Sequence, residues 1–148
     1  DDFHDQPVLC SREPLTAVGA GGVTVADMQK LKLVWHNLFG NISPEFSELT
    51  RILAAGGGPQ LKMNGFLAAI ALVRQSDWCS IVPLPAIVEE VEAGELFAYP
   101  VIPVAAERLI VARHTDRPLS PAALILAAAI GDALKELGQR SAAHMKRP

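Results

Sequence analysis

At 148 residues the chain is the size of one domain, and with half of its residues hydrophobic it can build a packed core, which excludes disorder as its main state. Thirteen basic residues stand against sixteen acidic ones, net −3, and no long basic block occurs. That balance excludes the basic face with which a stand-alone nucleic-acid binder grips phosphates.

In chain order, residues 15–18 form a short apolar run followed by Gly19, Gly21 and Gly22, the pattern of a strand running into a turn. Thr24 and Asp27 have capping-box spacing and open a short helix. Residues 31–35 read as a buried strand, followed by a loop from His36 to Ile42. Ser43 as N-cap and Pro44 at the first position open a helix with Phe46, Leu49 and Leu53 on one face, and Gly56-Gly57-Gly58-Pro59 stops it. Residues 60–63 are a short strand, and Asn64-Gly65 starts a helix that places Phe66, Ala69, Ile70 and Val73 on one side. A strand follows at 78–82. Pro85 then opens a helix carrying Ile87, Val88 and Val91, closed by Gly94. Residues 96–102 and 108–113 read as strands separated by Pro103 and a polar break at Glu107. Ser120 and Pro121 begin a last helix that runs through Leu124, Ala128, Ile130 and Leu137 to Gly138, with a polar tail from Gln139 predicted to fray.

Strands alternating with helices across short connections predict an α/β fold: a mostly parallel sheet with helices on both faces. The longest apolar run, residues 122–130, has nine residues, about half of the roughly 20 needed to span a bilayer. The N-terminus is acidic where a signal peptide is basic. Cys10 and Cys79, 69 positions apart in no metal-like spacing, fit a reducing compartment. Together these predict a cytoplasmic chain without membrane contact.

Catalytic motifs are sparse. There is no Gly-x-Ser-x-Gly elbow, and neither glycine cluster ends in Gly-Lys-Ser/Thr or fits Gly-x-Gly-x-x-Gly. His4, His36, His114 and His144 are dispersed, with no ligand spacing for a metal. Asp77 beside Cys79 suggests an activated thiol, but no histidine stands near to serve as its base, so a buried structural cysteine is the plainer reading. The expectation is no enzyme, no metal and no cofactor. Two strand ends do have binding potential, because ligands of parallel sheets sit beyond the carboxyl ends of strands, where helix N-termini point their free N–H groups. One strand ends at His36-Asn37, and the other ends at Asn64-Gly65-Phe66. Asn37 and Asn64 could hold a small anion or amide there; asparagine also caps turns, and both readings stand. Phe66 and Trp35 fit a core as well as a ligand platform.

The run Asn64-Gly65-Phe66-Leu67-Ala68-Ala69-Ile70-Ala71-Leu72-Val73-Arg74, then Ser80-Ile81-Val82-Pro83 and Glu92-Ala93-Gly94-Glu95-Leu96, resembles the effector-binding domain of LysR-type transcriptional regulators. The resemblance extends to Arg108-Leu109-Ile110-Val111-Ala112-Arg113 and Asp116-Arg117-Pro118-Leu119-Ser120-Pro121-Ala122-Ala123. Upstream, Glu13-Pro14-Leu15-Thr16-Ala17-Val18 and Val23-Thr24-Val25-Ala26-Asp27-Met28 fit the same order. It spans about positions 6 to 138. It implies a bilobed, periplasmic-binding-protein-like architecture with a small polar or anionic effector between the lobes, near His36, Asn37, Asn64, Gly65, Phe66 and Pro83. It also implies promoter DNA bound through a helix-turn-helix that this chain does not contain, and dimerisation through the regulatory domains. On that frame residues 1–18 are a remnant of the first lobe with a crossover strand, 19–102 the second lobe, 103–138 the return to the first lobe and 139–148 a tail, so the chain reads as a fragment. One departure stands out: where the family commonly has glycines, this sequence has Gln75-Ser76-Asp77-Trp78-Cys79. An exported solute-binding protein of similar fold and a small α/β enzyme are the alternatives; the first needs a signal peptide and a second complete lobe, the second a nucleophile–base pair.

Overall fold

The computed structural model describes residues 3–5, 7–16, 18–19, 21–36, 44–102, 107–109, 116 and 118–145. The strands are β1 (Phe3–Asp5), β2 (Pro7–Ser11), β3 (Val23–Thr24), β4 (Leu33–His36), β5 (Gln60–Met63), β6 (Cys79–Pro83), β7 (Phe97–Ile102) and β8 (Glu107–Leu109). The helices are α1 (Val25–Met28), α2 (Pro44–Ala54), α3 (Phe66–Gln75), α4 (Val88–Glu92) and α5 (Pro121–Met145), with a 3-10 turn at Leu84–Ala86.

Six strands form one sheet in the order β3-β7-β2-β6-β4-β5. β4 is parallel to β5 and β6, and β3 is parallel to β7. β2 runs antiparallel to both of its neighbours. Five strands therefore share a direction and one opposes them. β1 and β8 pair separately as an antiparallel ribbon.

Helices cover both faces. On one, Leu9, Leu33, Ile81 and Val101 meet Met28 of α1 and Leu49 and Leu53 of α2. On the other, Val8, Cys10, Val34 and Val82 meet Ala69, Ile70 and Val73 of α3, together with Leu84 and Ile87. Alternation along β2 sends Val8 and Cys10 to one cluster and Leu9 to the other, as a strand buried on both faces requires.

Local chemistry sets the boundaries. The capping box forms as the sequence predicts: the Asp27 N–H donates to Thr24 Oγ1 at 3.3 Å and the Thr24 N–H to Asp27 Oδ2 at 3.1 Å. These bonds from Thr24, hydroxyl first, hold the Asp27 carboxyl below its ordinary pKa. After α2 the chain passes so close to the end of α1 that a Cβ on Gly58 would stand 2.7 Å from the carbonyl oxygen of Gln29. Only glycine fits there. At the start of α5 the Ala123 N–H donates to the Ser120 hydroxyl at 3.2 Å, the expected N-cap bond.

The structure corrects four sequence readings. Leu15, Thr16 and Val18 are not a strand; the Leu15 N–H donates to the Tyr99 hydroxyl at 2.8 Å, and the Gly22 N–H closes a turn on the Gly19 carbonyl. The strand of this region is β2, upstream. The single helix expected from Pro85 is a 3-10 turn followed by α4, because Ile87 at the junction is extended in φ (−132°). Glu107 begins β8 instead of breaking the chain; residues 110–113 lie outside the described residues, as do Ser43 and most of the His36–Ile42 loop. The tail does not fray at Gly138: α5 continues to Met145, with Ser141 buried and Arg140 gripping Glu92 of α4.

Candidate functional site

The shared direction of β4, β5 and β6 brings their carboxyl ends to one end of the sheet. His36 closes β4 opposite Met63, the last residue of β5. Asn64 follows Met63, and Gly65 then turns the chain into α3 at φ +99°, a left-handed conformation open to glycine. The N-cap position of α3 is this glycine, so the helix begins directly after β5. Phe66 opens α3 and is half-buried against the cluster of Val8, Cys10 and Val34; it belongs in part to the core. Pro83 closes β6 opposite Pro7, so β2 enters the sheet at this same end. β7 leaves the sheet there too, and both chain segments lead away to the β1–β8 ribbon. Asn37 lies outside the described residues.

The opposite end holds a feature that the sequence reading did not single out. A cavity of about 310 Å³ opens between the segment leaving β2 and the turn from α3 into β6, with Arg12, Glu13, Leu15, Asp77, Trp78 and Cys79 among its lining residues. Lys32 grips Asp77 at 2.6 Å, and its hydrogen bond holds the Asp77 carboxyl below its ordinary pKa. Asp77 does not activate Cys79. Burial, and then the Asp77 charge, push that thiol up to about 11, away from the thiolate a nucleophile needs. Cys10 is fully buried and is pushed up to about 12, chiefly by desolvation. A turn carrying Asp-Trp where the resembled family has glycines was the available signal for the cavity.

A third polar group joins α4 to α5. Arg140 donates to both carboxylate oxygens of Glu92, at 3.1 and 2.6 Å, and His144 Nε2 stands 3.6 Å from the same carboxylate. The Arg140 hydrogen bonds hold Glu92 below its ordinary pKa. Among the described residues no three His, Cys, Asp or Glu side chains gather as a metal site, and no helix is long and apolar enough to cross a membrane.

Solved structures decide the fold. The regulatory domain of CcmR from Synechocystis PCC6803, in complex with 2-PG, superposes with a TM-score of 0.63 at 13% identity, over 91% of this chain and 66% of that one. The chain has the fold of a LysR-family regulatory domain. The effector domain of AmpR from Pseudomonas aeruginosa is similar at a TM-score of 0.55 and 18% identity, over 95% of this chain and 64% of that one. The regulatory domain of MetR from N. meningitidis, a LysR family regulator, gives 0.52 and 16%, over 97% and 63%. The chain thus spans about two thirds of the length of the LysR-type domains it matches. No protein-family model and no curated protein matches the sequence.

Proposed function

We propose that the chain is the ligand-sensing part of a LysR-type DNA-binding transcription regulator, binding a small polar or anionic effector between its lobes. The observation that carries this reading is the coincidence, at one end of the sheet, of three parallel strand ends, the N-terminus of α3 and the two segments that lead to the β1–β8 ribbon. Ligands of open α/β sheets bind beyond strand carboxyl ends, and helix N-termini favour anions. That the CcmR domain holds 2-PG supports the same use of the fold. In this reading Asn64 and the Gly65 and Phe66 N–H groups hold the effector's polar head, His36 and Asn37 flank it, and Pro83 and the Phe66 ring shape the wall. Residues 19–102 form the effector-binding lobe, joined by β2 as its central strand. The β1–β8 ribbon and α5 belong to the other lobe. Promoter DNA is bound by a helix-turn-helix outside this chain, and the domain turns nothing over.

Ligand-detected NMR with 2-PG and a panel of small carboxylates tests the site. Binding is expected for at least one of them, and Asn64→Leu is expected to abolish it; equal binding by that variant would place the site elsewhere.

The same reading includes self-association. The first half of α5 carries Leu124, Ile125, Leu126 and Ile130 in water, with Ile125 72% exposed and Leu126 61%. Soluble monomers rarely leave such a patch uncovered, and a second copy would cover it by a symmetric contact. Light scattering on a sizing column at tens of micromolar is expected to give a dimer mass that Ile125→Glu with Leu126→Glu returns to monomer. A monomer mass for the unmodified chain would remove this part of the proposal.

A further inference from the structure

We propose that the cavity at the far end of the sheet from the effector edge is a second small-molecule site, and that it takes an organic cation with a compact apolar body. Its volume of about 310 Å³ is that of a small-ligand site. Its lining includes the buried Ser11 and Cys79 and the half-buried Leu15 and Trp78. The indole is the aromatic surface best suited to a positive charge. Two exposed carboxylates, Glu13 and Asp77, line it too, the first beside the Arg12 guanidinium and the second beside the Lys32 ammonium.

The hydroxyls of the lining are already committed within the chain. Ser11 donates to the Glu13 carbonyl at 2.7 Å; Ser76 donates to the Leu72 carbonyl at 2.6 Å and accepts the Trp78 N–H at 3.3 Å. The carboxylates are not used up. Each offers about four lone-pair positions; Arg12 reaches Glu13 through one contact at 3.4 Å, and Lys32 meets Asp77 through one oxygen. Lys32 thereby fixes the direction of Asp77 while leaving acceptor positions for a ligand ammonium.

The probe is phenethylammonium, read on the two tryptophan indole N–H resonances of the whole chain, which Trp78→Phe assigns. The Trp78 resonance is expected to shift saturably below about 10 mM ligand while Trp35 stays still. Glu13→Gln combined with Asp77→Asn, both on exposed side chains and so neutral to the fold, is expected to weaken binding about fivefold or more. Phenylacetate and 2-phenylethanol, of the same shape but anionic and neutral, are expected to bind more weakly still. Asn64→Leu at the effector edge leaves the response unchanged, which separates this site from the one proposed above. No saturable shift, an equal or stronger response to phenylacetate, or full binding by the double variant would each overturn the proposal.

Discussion

Leu9→Ala is expected to remove about 2–5 kcal/mol of stability, a large part of the roughly 5–15 kcal/mol that holds a domain of this size. Leu9 is the middle residue of β2, fully buried, flanked in the sheet by Ile81 and Tyr99. Its side chain is packed with Val23, Met28, Leu33, Leu53 and Val101 in one cluster. Truncation there leaves a cavity roofed by α1 and α2 and floored by the sheet, neither of which can collapse into it without shifting strand pairing. Leu61 on the edge strand β5 is 41% exposed, and Leu61→Ala is expected to cost well under about 1 kcal/mol. Urea unfolding of the two variants decides the matter: the midpoint should fall steeply for Leu9→Ala and barely for Leu61→Ala, with slopes unchanged. Equal losses would mean that β2 is not the centre of the sheet.

The second large effect appears at alkaline pH. Folding raises both thiols, Cys10 to about 12 and Cys79 to about 11, through loss of solvation. Between the ordinary thiol value and these raised values the folded chain holds protons that the unfolded chain has released. Stability is therefore complete below about pH 8.5 and falls as pH rises, by about 1.4 kcal/mol per pH unit for each thiol over that window. Cys10→Ala with Cys79→Ala gives up some packing at pH 7 but should show a shallower decline from pH 8.5 to 10.5 than the unmodified chain. Parallel curves would mean that neither thiol is desolvated.

The elements that were legible in the sequence are those with a period or a cap. The Thr24–Asp27 box, the helix from Phe66 and the Ser120 cap were each written in side chains that act on their own backbone or on one face. β2 was not legible because both of its faces are buried: Val8, Leu9 and Cys10 give a continuous apolar run with no alternation, led by a proline. The run at 15–18 looked more like a strand, yet its partner is a tyrosine hydroxyl 84 positions away. The end of α5 looked like a tail because Arg140, Ser141 and His144 are polar; what holds Arg140 and His144 is Glu92 on another element, invisible to any local pattern. At the carboxyl ends of the strands, the residues after β4 and β5 could be nominated from strand ends alone, whereas Phe66, half-buried, packs against the core. The far cavity joins two segments, 11–15 and 76–79, that are distant in the chain, and had no linear signature beyond one unusual tryptophan.

The central strand is made well before either strand that flanks it. Ser11 lies beside Phe97, and Cys10 beside Ser80, so a ribosome must add about 70 further residues before β2 has its first neighbour and about 90 before it has both. At about 5–20 residues per second that interval lasts roughly 5–20 s. During it, an apolar strand with unpaired backbone on both edges until β6 arrives, and on one edge until β7 does, is open to other chains, while β4, β5 and α3 can already assemble among themselves. The emerging chain is thus most exposed to strand-mediated aggregation just before β6 is complete. A stop codon between Pro83 and Phe97 would release a product whose β2 has one side satisfied and the other free to recruit a neighbour.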